Sequence, residues 1–352
     1  MEEKTIQPKW KTLEYSRSQI IKAGKTIRTK DESDPEYQRA LSIIDNWRAA
    51  HAFPLHVIYI HLRRMANNNE EIIVAERLKR LDSIIGKLKR EQNMNLWTMQ
   101  DLGGCRLIVP TVDEVYKFSE EYEKSKKRHI LVSEDDYIKH PKESGYRSLH
   151  RVYLYHSDKK ETYNRNMQIE IQFRTHLQHL WATAVETMGL FTKQAIKSGE
   201  GTDDVNRFFA LVSSLFAIKE KQPTVPGTPV DVDEIVSEIE SINARNNYLD
   251  FLLGINVAIN VHENKLKNGQ KPPAYFILKL NYTRQELSIL SFKASEIAIA
   301  NDIYNHIEKS PDNTQFDSVL VRVSSMDVLK KAYPNYFSDI GEFVKIVKSY
   351  LK

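Results

Sequence analysis

The sequence predicts an α+β protein: a mixed sheet flanked by helices, followed by a small second α+β module. Three observations carry this. Short runs with period-two patterning, among them VYLYHS, MQIEIQF and SVLVRVS, are interspersed with longer runs at helical spacing such as VDEVYKFSEEYEK. These strand and helix runs mix along the chain to about residue 200. KQPTVPGTP, with three prolines and one glycine in nine residues, then marks a linker before a second set of strands and helices.

Residues 1–50 form an N-terminal helical arm. Ser16 caps QIIKAGKTI, and Pro35 stands near the start of the next helix. Residues 51–220 form the main domain. It opens with an amphipathic helix from Pro54 to Ala66, a turn at NNNE, a strand from Ile72 to Leu78 and the helix DSIIGKLKREQ. GCRLIVP is a strand closed by a turn, VDEVYKFSEEYEK a helix and HILVSEDDYI a strand. A hairpin follows, with strands at Val152 to Ser157 and Met167 to Phe173 around a polar turn. Helices from His176 and over DVNRFFALVSSLFAI complete the domain. Residues 221–231 are the linker and 232–352 the C-terminal module. That module reads as a long helical stretch broken near Gly254, a hairpin (YFILKLNY and LSILSF), a helix, the strand SVLVRVS and a final helix.

With 41% hydrophobic and 28% charged residues the composition is that of an ordinary soluble globular protein. The single cysteine, Cys105, sits in a predicted buried strand. It excludes a disulfide framework, argues against zinc and fits a reducing cytoplasm. No apolar run approaches the roughly 18–20 residues of a membrane span, and MEEKTIQPKWK lacks the apolar segment of a signal peptide. A cytoplasmic location is therefore expected. The net charge of +4 is uneven, with Lys4, Lys9, Lys11, Arg17, Lys22, Lys25, Arg28 and Lys30 near the start and Lys124, Lys126, Lys127 and Arg128 later. Such clusters meet phosphate backbones or are simply solvated.

The hairpin carries more polar load than a core strand pair needs: Arg147, His150, Glu170, Gln172, Arg174 and His176. Glu170, Gln172 and Arg174 alternate with apolar residues and so share one sheet face. That face is either a solvated surface or a site. Upstream, Ser83, Lys87 and Arg90 fall at i, i+4 and i+7 on one helix face, with Arg77 and Lys79 just before it. This is either a basic surface helix or a polyphosphate site. Asp101 and Arg106 bracket two glycines. Paired in space with Glu170, Asp101 makes a candidate Mg²⁺ site. Lys139, Lys142 and Tyr146 precede the hairpin; the lysines suit phosphate and the tyrosine suits stacking on a base. No Walker loop, Rossmann glycine pattern or HExxH is present.

In this order, RxKxxxS with a following lysine, D-x-x-G-x-R, GYRSLH and ExQxRT resemble the synthetase domain of the RelA/SpoT homologues, over roughly residues 50–190. Those proteins are pyrophosphokinases that make (p)ppGpp on a nucleotidyltransferase-like fold. The resemblance implies that Arg77 and Arg106 sandwich the ATP adenine. It implies that Lys79, Ser83, Lys87 and Arg90 hold its phosphates, and that Asp101 and Glu170 bind Mg²⁺. Glu170 would also be the base for the acceptor 3′-hydroxyl, so Glu170, Asp101, Arg77 and Lys87 are the catalytic candidates. Tyr146 would stack on the acceptor base, with Lys139, Lys142, His150, Gln172 and Arg174 lining that side. No HD dipeptide occurs, so the family's hydrolase is not expected, and the length leaves no room for the usual ribosome-binding modules.

The helices SRSQIIKAGKTIR and NWRAAHAFPL and the tyrosine pair Tyr333 and Tyr336 in KKAYPNYF are similar to CapRel-like fused toxin–antitoxins of phage defence. In that group the tyrosine pair blocks the adenine site, and pyrophosphate goes to the 3′ end of tRNA. The pair is otherwise core or surface tyrosine. Three functions therefore stand open. The first is a self-inhibited tRNA pyrophosphokinase with a phage protein as its trigger. The second is a (p)ppGpp synthetase acting on GDP or GTP, and the third an inactive nucleotide-sensing module.

Overall fold

The computed structural model describes residues 10–67, 69–125, 128–192, 202–257, 260–263, 273–281, 284, 286–310, 316–337 and 340–351. Lys4, Lys9, Lys126 and Lys127 of the basic clusters lie outside the described residues. Three helices open the chain: α1 (Arg17–Thr29), α2 (Pro35–Ala50) and α3 (Ala52–Met65). Ser16 caps α1 through a reciprocal bond with Gln19, and Asp34 caps α2 with Pro35 in its first turn.

Next come β1 (Ile73–Leu78), α4 (Leu81–Arg90), β2 (Gly103–Val109), α5 (Val112–Lys124), β3 (Ile130–Asp136), β4 (Leu149–Leu154), β5 (Gln168–Thr175), α6 (His176–Thr192) and α7 (Asp203–Lys219). The C-terminal half adds α8 (Val232–Asn246), α9 (Tyr248–Val257), β6 (Asn260–Glu263), β7 (Tyr275–Asn281), β8 (Glu286–Phe292), α10 (Ile297–Glu308), β9 (Phe316–Arg322), α11 (Met326–Ala332), α12 (Pro334–Phe337) and α13 (Gly341–Lys348).

The strands form one sheet in the order β3-β4-β5-β2-β1-β9-β7-β8-β6. It is mixed: β2 runs parallel to β5, and β1 runs antiparallel to both β2 and β9. Strands from beyond the linker thus continue the sheet begun before it. The seam is β1–β9, where Glu76 faces Arg322 and Arg77 faces Val321.

Alternation sorts the side chains by face. Cys105, Leu107, Val109, Ile169, Ile171 and Phe173 form one core with residues of α3 and α5. Arg106, Glu170, Gln172 and Arg174 turn to the other face. Farther along that face Ile73, Ala75, Ile108, Val319 and Val321 pack with Leu329, Tyr333 and Tyr336. Helices α11 and α12 therefore cover the catalytic-candidate face of the sheet.

Several elements differ from the sequence reading. The first hairpin strand ends at Leu154 and starts at Leu149, because β3 and β5 pair with it from both sides over that span. The long helical stretch breaks at Asn247, which takes a left-handed φ of 54° and ends α8, and not at Gly254. It also holds a strand, β6, paired in parallel with β8. The linker is a packed strap: Val225 is 1% exposed and its N–H donates to Ser214 Oγ at 2.9 Å. Arg147 Nη2 donates to the Pro223 carbonyl at 2.6 Å.

Candidate active site

β5, β4 and Tyr146 just before β4 supply a closed ring of hydrogen bonds. Gln172 Nε2 donates to Glu170 Oε2 at 2.6 Å, and Arg174 Nη2 donates to Gln172 Oε1 at 2.5 Å. Glu170 Oε1 lies 2.9 Å from His150 Nδ1. The other imidazole nitrogen, Nε2, is 2.8 Å from the Tyr146 hydroxyl, which accepts from Arg174 Nη2 at 3.0 Å. The register makes this possible, since His150 stands opposite Gln172 on the antiparallel pair. Burial works against charge on Glu170, but His150 and Gln172 outweigh it and hold the carboxyl well below its usual range. Burial likewise opposes charge on His150, and Tyr146 and Glu170 overcome it and raise the imidazole.

Gly145 sits at the head of this hairpin with φ +89°, and a Cβ there would come within 2.9 Å of Ser213 and Trp181 side-chain atoms. That close approach seats the hairpin on α6 and α7.

Asp101, just before β2, is the second acidic centre. Lys79 Nζ donates to it at 2.8 Å, and Lys87 Nζ, one helix turn below Ser83 on α4, at 3.4 Å. Burial raises the Asp101 carboxyl, Lys79 and Lys87 lower it more, and Glu170 is close enough to push back. Ser83 is half-buried on the same helix and Arg90 exposed beyond it.

Asp101 and Glu170 offer hard oxygen donors with 24% and 14% of their side chains accessible. This chemistry fits a Mg²⁺ shared with phosphate oxygens. In the present arrangement lysines and His150 meet their charge.

Arg106 is covered by the C-terminal half. Its guanidinium lies 5.6 Å from the Tyr333 ring centroid, and Nη1 donates to the Ala332 carbonyl at 3.0 Å. Burial, then Arg174 and Arg77, lower Arg106 to about 10, which leaves it charged at neutral pH. Tyr333 is 3% exposed, and burial lifts its hydroxyl to about 12 against the pull of Arg106 and Arg77. Arg77 is half-buried on β1, facing Gly104 of β2. Tyr336 is 2% exposed in the same apolar cluster as Tyr333.

The structure brings together Arg77, Lys79, Lys87, Asp101, Arg106, His150, Glu170, Gln172 and Arg174. Two acceptor-side expectations change. Tyr146 is 6% exposed, packed near Trp181 and beneath the Lys142 ammonium, so this conformation offers no open stacking face. Lys139 turns away from the row; its ammonium lies 4.7 Å over Tyr116 and 3.7 Å from Asp136. Arg147, counted with the polar load, is structural: it donates to Ser213 Oγ and to the Ile138 and Pro223 carbonyls. His176 reaches out to Glu342 at 3.0 Å.

Sequence reasoning missed His179. It is 1% exposed on α6, bonded through Nε2 to the Lys331 carbonyl at 3.0 Å, and kept neutral by burial and by Arg106 and Arg174. No spacing signal marks it, since its partner is backbone far along the chain.

Two acidic centres, Lys79 at the β1–α4 elbow with Lys87 in the last turn of α4, and a pair of arginines make a site suited to a polyphosphate and a hard divalent cation. Residues 76–194 match the family described as "Region found in RelA / SpoT proteins". Over 112 residues the chain is 36% identical to the GTP pyrophosphokinase YjbM of Bacillus subtilis (strain 168), covering 31% of this chain and 52% of that protein. The chain thus spans about half the length of the curated relative it matches.

Among solved structures, small alarmone synthetase 1 from Bacillus subtilis, bound to its product pppGpp, aligns over 53% of this chain and 94% of its own. Its TM-score is 0.43, with 23% identity. A GTP pyrophosphokinase family protein from Streptococcus pneumoniae aligns over 53% of this chain and 91% of its own, with TM-score 0.40 and 27% identity. Among the described residues no helix is long and apolar enough to cross a membrane.

Proposed function

We propose that the chain is an ATP-dependent pyrophosphokinase held off by its own C-terminal half. The observation that carries this is Tyr333 over Arg106, with Arg77 beside it, next to an otherwise assembled set of carboxylates and lysines. An aromatic ring against two guanidinium groups takes the place an adenine would take. In the open state Arg77 and Arg106 hold the base, and Lys79, Ser83, Lys87 and Arg90 hold the phosphates. Mg²⁺ held by Asp101 and Glu170 would neutralise phosphate charge.

The acceptor 3′-oxygen attacks the β-phosphorus of ATP. The bond from that phosphorus to the α–β bridging oxygen breaks, AMP leaves, and the hydroxyl proton passes to Glu170. Acceptor binding must loosen the His150 contact for Glu170 to accept it.

The acceptor we propose is the 3′ end of tRNA, making the protein a self-inhibited, translation-blocking toxin of the CapRel-like kind in phage defence. Built-in cover over the ATP site, and the exposed Lys124 and Arg128, support that reading. A guanine-nucleotide acceptor is the second reading, favoured by the similarity to a protein named a GTP pyrophosphokinase. Incubating a Tyr333→Ala variant with γ-labelled ATP and either tRNA or GDP separates them. Label on tRNA supports the first; label only on guanine nucleotide supports the second.

A further inference from the structure

We propose that Glu308, on α10 of the C-terminal half, is a positioning residue for the β1–α4 elbow that carries Lys79, Ser83 and Lys87. The C-terminal half then supports the phosphate side of the site while covering the adenine side. The ligand assignment rests on the ATP reading above; the clamp itself is read from contacts.

Helix α4 begins without a side-chain cap of its own: Arg80 is its N-cap residue and makes no capping bond. The first amides of a helix need acceptors. Glu308 supplies one from more than two hundred residues away, as Leu81 N–H donates to Glu308 Oε1 at 2.9 Å. A carboxylate at that helix end is also favoured by the helix dipole. The same Oε1 accepts from the Tyr304 hydroxyl at 2.9 Å, and Oε2 pairs with Arg48 of α2.

Arg48 Nη2 in turn donates to Asn305 Oδ1 at 2.7 Å and Asp45 Oδ1 at 3.2 Å, while Nη1 points at the Lys79 carbonyl at 3.5 Å. The side chains of Arg48 and Glu308 are 2% and 3% exposed. One buried ion pair therefore holds the carbonyl of Lys79 and the amide of Leu81, on either side of the elbow. Arg80, between them, pairs with Asp317 of β9, so the C-terminal half grips Arg80 and Leu81 directly and Lys79 through Arg48. On the far side of the elbow Lys79 N–H donates to the Leu102 carbonyl at 2.8 Å and its ammonium meets Asp101. A shift of the elbow would move Lys79 off Asp101 and rotate Ser83 and Lys87 with α4.

Two roles for the same half of the chain follow. Tyr333 keeps ATP out, and Glu308 keeps the phosphate-binding helix in place. Simple removal of the C-terminal half would then not yield the most active enzyme.

The test uses the full-length chain in the Tyr333→Ala background. Glu308→Gln is nearly isosteric and keeps an acceptor for Leu81 while losing the charge pair; Glu308→Ala loses both. Hydrogen exchange of the Leu81–Ile84 amides is expected to rise in both, with α1 amides as unchanged controls. The KM for ATP and the Kd of ATP–Mg²⁺ are expected to rise about tenfold, more for alanine than for glutamine, while kcat at saturating ATP stays within about twofold. Unchanged exchange together with unchanged KM in the folded glutamine variant overturns the clamp. Faster exchange with unchanged ATP affinity shows instead that ATP is not held on α4, and overturns the ATP reading.

Discussion

Glu170 draws its character from three neighbours on two strands. His150 and Gln172 hold its oxygens and Arg174 holds Gln172, so the carboxylate is fixed in place and kept ionised. In the Tyr333→Ala background, Glu170→Gln is expected to lower transfer by about 10²–10⁴-fold, the scale of a lost general base. Steady-state assays with saturating ATP check this; a loss under threefold would remove Glu170 from the chemistry.

The ion pair with His150 also sets a pH signature. Glu170 is lowered, so its contribution to stability is full above its ordinary value near about 4.3 and fades as pH falls. His150 is raised, so its contribution is full below about 6.5 and is lost as pH climbs through its higher folded value. The pair therefore stabilises most between about pH 4.5 and 6.5. Melting temperatures of wild type and His150→Asn across pH 4–9 are expected to differ most in that window and to converge at alkaline pH.

At the level of elements, α11 brings Tyr333 to Arg106 and its last carbonyls to Arg106 and His179. Tyr333→Phe keeps the ring and is expected to behave like wild type. Tyr333→Ala removes a cation–π contact and its buried surface, and is expected to raise turnover by roughly tenfold or more. The hairpin depends on Arg147 in another way, through three bonds to α7, the strap and the turn before it. Arg147→Ala leaves those acceptors unmet and is expected to cost about 2–3 kcal/mol in urea unfolding.

Most strands and helices before the strap were legible because their periodicity is local. The face shared by Glu170, Gln172 and Arg174 followed from alternation alone, whereas the contacts of Asp101 with Lys79 and Lys87 were not legible, because they join a loop to a strand exit and a helix. Tyr146's burial was not legible, because Trp181 and Lys142 reach it through tertiary packing. Nor was Lys139's outward turn, which depends on Tyr116 from α5. The break at Asn247 escaped because glycine is the commoner helix stop, and Asn only competes with it at a left-handed position.

Across the whole molecule, the sheet runs unbroken from β3 to β6 with the site face beneath helices from beyond the strap. A proline-rich segment read as a linker, but Val225 is buried against α7 and the exposed Pro223 accepts through its carbonyl from Arg147. The pairing of β9 with β1 depends on residues far apart in sequence, so no local pattern could reveal it. With the seam buried, both halves are expected to unfold together. Far-ultraviolet dichroism and tryptophan fluorescence should then report one coincident thermal transition, and two separated transitions would contradict a shared sheet.

Pyrophosphate transfer from ATP, held off by Tyr333, is the proposed activity. It is tested most directly by release of AMP from ATP in the presence of tRNA or GDP, comparing wild type, Tyr333→Ala and the Tyr333→Ala, Glu170→Gln double variant. Low release is expected for wild type, at least about tenfold more for Tyr333→Ala, and loss of that gain in the double variant. Equal AMP release from wild type and Tyr333→Ala, or release that survives Glu170→Gln, would contradict it.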